Sequence, residues 1–344
     1  MSIRTAIIGP TGYTGLHLIE LLLRHPEAEV SYLASARDKL PVISDEFPQL
    51  FGRCDLACRP ADPKAIAEEA DVAFACLPHK AAMAYIPQLL EAGMRVVDLS
   101  ADYRLRDADL YEKVYATEHT DRANLADAVY GLPEVFPDDI ADADLIANPG
   151  CYPTAAGIAI APLLERSLVK IDPIIINAAS GVTGAGRAAK PHLHFPEVQG
   201  GYFPYGCGDH RHQPEIEQTL STIKAQPVSA LFVPHLLPID RGIFQTIYLE
   251  PLDDEVTEDD LWEAYHDAYD DEPFVRLRTD RRPNVKYVRD TNFCDLHVKL
   301  VEVGQQRRVV VFAAIDNMIK GASGQAVQNM NIMYGLDPAA GLLD

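Results

Sequence analysis

The sequence predicts an α/β protein of two domains, a doubly wound parallel sheet followed by an α+β domain on a largely antiparallel sheet. Three observations predict it. The chain has 344 residues, more than one domain usually holds. Short apolar runs alternate with helical periodicity as far as Asn148. Beyond Asn148 the runs are rich in β-branched residues, as in strands whose antiparallel partners need no helical crossover.

Thr5 to Gly9 is a short apolar run ending in glycine and reads as a buried strand. Thr14 to His25 carries Leu16, Ile19, Leu22 and Leu23 at helical spacing and stops before Pro26. Glu29 to Ala34 is a second strand. Asp71 to Leu77 is a third, followed by a helix near Ala81 to Ala92 that Gly93 closes. Arg95 to Leu99 and Leu145 to Asn148 complete the parallel set, and sheets of this kind bind ligands at the carboxyl ends of their strands. Tyr152 to Glu165 is an apolar helix. Pro173 to Ala179, Val228 to Pro234, Ile243 to Glu250, Leu296 to Val303 and Arg308 to Ile315 read as strands of the second sheet, and a loop rich in glycine and histidine, Gly181 to His212, lies among them. Ser323 to Tyr334 is a small amphipathic helix, and periodicity alone does not say which domain it joins.

Charge narrows the function. Fifty-one acidic against 30 basic side chains leave −21, with a pI near 4.8. That disfavours nucleic acid or an anionic membrane as partner, and it leaves a negative substrate in need of a cation placed for it. The acidic stretches Asp253 to Asp260 and Asp267 to Glu272 read as a solvated helix face and its flanks. Six cysteines are no disulfide framework in a chain of this length, so a reducing cytoplasm is expected. No apolar run approaches the length of a membrane span, and a glycine loop begins too soon for a signal peptide.

That loop is Gly9-Pro10-Thr11-Gly12-Tyr13-Thr14-Gly15, between the first strand and the first helix. Glycines permit a tight turn and close approach of backbone to a pyrophosphate, and the helix start supplies N–H groups and positive dipole. Gly9, Thr11, Gly12, Tyr13, Thr14 and Gly15 are therefore candidate dinucleotide contacts. After the second strand, where an NAD site offers an acid, the chain reads Ala34-Ser35-Ala36-Arg37-Asp38-Lys39. Ser35 and Arg37 suit the 2′-phosphate of NADP, although Asp38 is close by and a solvated polar loop is the plain alternative.

Asn148-Pro149-Gly150-Cys151-Tyr152-Pro153-Thr154 lies at a strand-to-helix junction. A helix start stabilises a thiolate, and the same N–H donors suit an oxyanion, which singles out Cys151 as nucleophile. Cys76 lies within a strand, Cys294 begins one, and Cys54 and Cys58 lack a second pair of ligands. Cys207, His210 and His212 are spaced closely enough to raise zinc, but no fourth ligand is evident and an acid–base histidine is the competing use.

Taken together, these segments resemble the N-acetyl-gamma-glutamyl-phosphate reductase family. Besides the glycine loop and Asn148 to Thr154, the resemblance is carried by Leu77-Pro78-His79, Asp98-Leu99-Ser100-Ala101-Asp102-Tyr103-Arg104, Tyr130-Gly131-Leu132-Pro133-Glu134 and Ser180-Gly181-Val182-Thr183-Gly184-Ala185-Gly186. Further along it is carried by His210-Arg211-His212-Gln213-Pro214-Glu215-Ile216, Pro234-His235-Leu236-Leu237-Pro238 and the stretch Asp316 to Asn331. It implies a Rossmann-type dinucleotide-binding domain over residues 1–149, completed by the C-terminal helix 320–344, and a semialdehyde-dehydrogenase-like substrate and oligomerisation domain over 150–319. It implies NADPH-dependent reductive dephosphorylation of an acyl phosphate by a homodimer or homotetramer of arginine biosynthesis. Cys151 matches the family nucleophile and His212 its acid–base position, with His210 the alternative. Pro78, Ser180, Gly181, Gly184 and Asn317 fall on the cofactor side, and Arg104, His210 and His235 on the substrate side. Arg104 would face the phosphate, unless it is a surface cation paired with Asp102 or Asp107. Three other readings stand beside this one: a carrier-linked 2-aminoadipyl-phosphate reductase of lysine biosynthesis, an aspartate-semialdehyde dehydrogenase, and a non-catalytic NADP-binding sensor. The acidic balance disfavours an acidic carrier protein, the His-Arg-His-x-Pro-Glu segment disfavours the second, and an intact Asn-Pro-Gly-Cys disfavours the third.

Overall fold

A computed structural model describes residues 2–35 and 40–343. The chain forms two compact units, Met1–Pro149 with Ala322–Asp344, and Gly150–Gly321.

Among the described residues the first unit holds strands β1 (Ile3–Ile8), β2 (Ala28–Ser35), β3 (Arg59–Pro60), β4 (Val72–Ala75), β5 (Arg95–Asp98), β6 (Val129–Tyr130) and β7 (Leu145–Ala147). They form one sheet in the order β3-β2-β1-β4-β5-β7-β6, every neighbour parallel. A parallel sheet is covered on both faces, which is why Ala6, Ile7 and Ile8 of β1 and all of β4 are apolar and buried without alternation. Strand order turns about β1 and β4, so the crevice beyond their carboxyl ends is the place for a ligand. The first helix, Tyr13–Leu22, is shorter than its periodicity predicts, because Arg24 and His25 donate to the carbonyls of Leu21 and Leu22 and tighten the last turn. The helix predicted near Ala81 to Ala92 is a 3₁₀ turn, Ala82–Ala84, then a helix, Ile86–Glu91.

The helix Gly324–Met333 belongs to this unit, against β5 and the first helix. It is amphipathic in sequence yet buried nearly all round, because its polar residues find buried partners. Gln325 Nε2 and Asn329 Nδ2 donate to the Gly131 carbonyl at 3.2 and 2.9 Å, and Gln328 Nε2 donates to Glu134 at 2.8 Å.

The second unit holds β8 (Ile174–Ser180), β9 (Phe203–Pro204), β10 (Ala230–Leu236), β11 (Ile243–Leu249), β12 (Val275–Leu277), β13 (Cys294–Val303) and β14 (Gln306–Ile315), in the order β12-β13-β14-β11-β8-β10-β9. The sheet is mixed: β8 and β10 run parallel, as do β12 and β13, and the remaining neighbours are antiparallel. The helix Cys151–Glu165 lies on β11 and β14, flanked by helices His212–Lys224 and Glu258–Tyr269. Tyr265 and Tyr269 donate to the carbonyls of Ala159 and Ile158, pinning the middle of this helix.

Candidate active site

In the first unit the glycine loop joins β1 to its helix. Gly9 has a φ of +87°, and a Cβ there would stand 2.4 Å from the Cys76 carbonyl oxygen, just past β4. At Gly15 a Cβ would come within 2.7 Å of Pro10. Neither position admits a side chain, so the loop folds back on β4 and the helix starts directly behind it. Gly12 is extended at the N-cap and no side chain caps the helix there, so its first N–H groups face the loop. This cradle fits a dinucleotide pyrophosphate. Thr11 is buried, Tyr13 and Thr14 are half-buried, and the Thr14 carbonyl accepts from Ser323 at 2.9 Å. Ser35 ends β2 and is buried, Pro78 is exposed after β4, and Arg37 with Asp38 lies outside the described residues.

Beyond β5 the segment Asp98 to Arg104 forms a buried polar knot. Asp98 accepts from the backbone N–H and hydroxyl of Ser100 at 2.9 and 2.7 Å. Burial, then the nearby Asp102, pushes its carboxyl up to about 7. Arg104 is not a surface cation. It is buried, and donates from Nε to the Asn148 carbonyl at 2.8 Å and from a terminal nitrogen to Leu99 at 3.0 Å. Asp102 is held by the N–H groups of Lys80 and Ala82 and by the Tyr111 hydroxyl. Asp107 caps the helix Ala108–Tyr115.

In the second unit Cys151 is the first residue of its helix, half-buried, with Gly150 extended at the N-cap. Two side chains hold this helix start. Glu215, buried, accepts from the Gly150 N–H at 2.8 Å. Gln245, equally buried, donates to the Tyr152 carbonyl at 2.9 Å. The Tyr152 ring gathers the two histidines, at 5.7 Å from His210 and 5.9 Å from His212, and packs on Phe232 at 5.0 Å. Its hydroxyl bonds to Tyr205 at 2.9 Å. Burial pushes the Tyr205 phenol up to about 12, and the charge of a Cys151 thiolate adds to that. His212 opens the helix that carries Glu215. His210 accepts from the His212 backbone N–H at its Nδ1, at 3.1 Å, and burial, helped by Arg211, brings its imidazole down to about 4. Cys207 is exposed, and among the described residues no group of three or more His, Cys, Asp or Glu side chains is arranged to hold a metal ion.

A second cluster in this unit surrounds Asn317. Its Oδ1 accepts from the Gly242 N–H at 2.7 Å and its Nδ2 donates to Thr183 at 3.1 Å. Thr183 lies in the loop with Gly181 and Gly184, and Gly181 is so close to Arg241 that a Cβ would meet its backbone at 2.7 Å. Ser180, which ends β8, donates to the Gly181 carbonyl at 3.0 Å. His235 is engaged elsewhere: Nδ1 faces the carbonyls of Ala178 and Val233, and the ring stacks on Tyr202. The structure thus gathers Cys151, His210 and His212 about Tyr152, and Asn317 with the 181–186 loop. Tyr205 and Gln245 join the Cys151 surroundings without any signal in the sequence, because each comes from a distant segment, and Glu215 falls in the His210 to Ile216 segment with nothing there to mark its bond to Gly150.

Comparison with known proteins shows the family. Residues 4–143 match the family described as the NAD binding domain of semialdehyde dehydrogenase, and residues 151–317 the family described as its dimerisation domain. The chain is 47% identical over 342 residues to N-acetyl-gamma-glutamyl-phosphate reductase of Citrifermentans bemidjiense, covering 99% of this chain and 98% of that one. It is 44% identical over 346 residues to the Rhodopirellula baltica protein of the same name, covering 99% of each. Among solved structures, aspartate semialdehyde dehydrogenase II of Vibrio cholerae superposes with a TM-score of 0.72 at 17% identity, over 97% of this chain and 99% of that one. The Candida albicans enzyme, solved with NADP, gives 0.71 at 17%, with the same coverage. At that identity the likeness concerns the fold. No helix among the described residues is long and apolar enough to cross a membrane.

Proposed function

The chain belongs to the N-acetyl-gamma-glutamyl-phosphate reductase family of the semialdehyde dehydrogenases, and from that membership we propose its reaction. It reduces N-acetyl-glutamyl 5-phosphate to N-acetyl-glutamate 5-semialdehyde with release of phosphate, using NADPH, in the cytoplasm. The observation that carries the reading is Cys151 at the head of a buried helix, with two histidines on the ring of the next residue.

The Cys151 thiolate, stabilised by the helix start, attacks the acyl-phosphate carbonyl. The carbon–oxygen bond to phosphate breaks, phosphate leaves with the electron pair, and a thioester remains on Cys151. NADPH, when bound, supplies the hydride that reduces the thioester carbon. His212 gives a proton to the carbonyl oxygen as the carbon is reduced. It takes the proton back as the carbon–sulfur bond breaks, releasing aldehyde and restoring the thiolate. His210 is too weak a base to be charged at neutral pH, and its Nδ1 holds the His212 backbone, which supports an orienting part for it. Arg104, fixed by two carbonyls, contributes a cation for the phosphate in a chain of charge −21.

The glycine loop holds the pyrophosphate through backbone N–H groups, and Ser35 and Arg37 take the 2′-phosphate, which makes NADP the preferred nucleotide. Ser180, Gly181, Gly184 and Asn317 line the nicotinamide side. The dinucleotide domain comprises residues 1–149 and 320–344, the catalytic domain residues 150–319, and the latter supports a homodimer or homotetramer. The test is mass spectrometry of protein quenched with the acyl phosphate in the absence of NADPH. An acyl adduct on Cys151, with Cys151→Ser folded, able to bind NADP and inactive, is expected. A folded Cys151→Ser variant that retains most of the turnover overturns the mechanism.

A further inference from the structure

We propose that Gly321 is a positioning residue for Cys151: the backbone of the turn Asp316–Gly321 is the wall that fixes where the thiol stands. A Cβ built on Gly321 would lie 2.7 Å from the Cys151 Cβ, 3.1 Å from its Cα and 3.3 Å from Ile315. These are the first atoms of Cys151, not the end of a flexible side chain, so no rotamer change relieves the overlap. Either the helix start or the turn would have to move.

Both are pinned. The helix start is held by Glu215 on the Gly150 N–H and by Gln245 on the Tyr152 carbonyl. The turn is held by Asp316, fully buried. One Asp316 oxygen accepts from the N–H groups of Met318 and Ile319 at 2.8 and 3.2 Å, and the other accepts from Asp290 N–H at 2.7 Å and faces Arg241 at 3.4 Å. Gly321 N–H donates to the Asp316 carbonyl at 2.9 Å, within a π-helical turn over Ile319–Ser323. The same segment reaches the 181–186 loop through Asn317 and Thr183. One short turn therefore touches both the nucleophile and the 181–186 loop, and at Gly321 only a hydrogen fits. A misplacement of about 1 Å at a reacting atom costs about a hundredfold in rate, so the absence of a side chain here matters to the chemistry.

The inference rests on Cys151 being the nucleophile, but the alkylation arm of its test does not need the substrate. Gly321→Ala is compared with the wild type for Cys151 alkylation by iodoacetamide across pH, with the exposed Cys207 as internal control. The expected result is a Cys151 alkylation rate changed several-fold, an unchanged Cys207 rate, and kcat lowered about tenfold or more with KM for both substrates nearly constant. Alkylation and kcat both at the wild-type level would overturn the proposal. Should Gly321→Ala not fold, Cys151→Gly and Cys151→Gly/Gly321→Ala are compared by thermal unfolding. The double variant is expected to fold nearly as well as Cys151→Gly, since the atom at 2.7 Å is gone and the Cα at 3.1 Å has only slightly to give. Failure of the double variant alone would show that the contact with Cys151 is not what Gly321 serves.

Discussion

Asp98 ends β5 with no exposure to water, close to a second carboxylate, Asp102, and satisfied chiefly by Ser100. Its folded carboxyl titrates near 7 against 3.8 ordinarily, so between those values the folded chain holds a proton that the unfolded chain has released. Stability from this group is fully present at low pH and is lost as pH rises through the window, by about 1.4 kcal/mol per unit at most. Urea unfolding from pH 5 to 8 should show a steeper fall for the wild type than for Asp98→Asn, and parallel curves would mean that Asp98 is ionised throughout. On the proposed function, Arg37 is the residue expected to carry the nucleotide preference. Arg37→Ala should weaken NADP binding about tenfold to a hundredfold, the worth of a charge-assisted contact, and leave NAD nearly unchanged. Equal weakening of both nucleotides, read by fluorescence titration, would mean that Arg37 shapes the loop rather than reading the phosphate. At this scale the sequence was legible where chemistry is local. Asn148-Pro149-Gly150 before an apolar run puts Cys151 at a helix start without reference to any other segment. Arg104 and Gly321 were not legible in the same way, because a buried arginine reads like an exposed one, and the contact that forbids a side chain at 321 comes from residue 151.

Among the elements, the helix Gly324–Met333 is the one whose fate its own sequence conceals. Gln325, Gln328, Asn329 and Asn331 look like a solvated face, yet all are buried. Buried amide N–H groups must be hydrogen-bonded, and Asn329 Nδ2 satisfies this by donating to the Gly131 carbonyl at 2.9 Å and to Asn148 Oδ1 at 3.1 Å. The amide also fills the space beside Gly131, where a Cβ would come within 2.3 Å of it. Asn329→Ala should therefore cost about 1–3 kcal/mol in urea unfolding, the range for leaving buried partners unsatisfied. A loss under about 0.5 kcal/mol, the size of an ordinary surface change, would mean that apolar contacts alone hold the helix. β1, β4 and the Cys151 helix were legible because burial on both faces leaves uninterrupted apolar runs, and the longer strands of the second sheet because they are rich in β-branched residues. β3 and β6, two residues each, and β12, with three, carry too little pattern to be seen. The parallel pairing of β8 with β10 is a matter of topology that no local run encodes.

For the whole molecule the governing quantity is charge. At −21, repulsion between carboxylates outnumbers attraction, and the compact state brings like charges closer than the unfolded chain does. Salt also weakens attractive pairs, and several sit on the surface: Arg4 with Asp71, Arg59 with Glu69, and Arg122 with Asp109 and Glu112. Pairs of this exposure are worth about 0–1 kcal/mol each, so their combined loss is small. The repulsive term acts between many groups at long range, and screening shortens its reach from about 30 Å at 0.01 M salt to about 8 Å at 0.15 M. Relief of repulsion should win, and the thermal midpoint should rise by a few degrees between those two salt concentrations at constant pH. The rise should be larger at pH 8 than at pH 5, where partial protonation of carboxylates and histidines has already lowered the net charge. A midpoint that falls with salt at pH 8 would show that the ion pairs, and not the excess of acid, set the electrostatics of the fold.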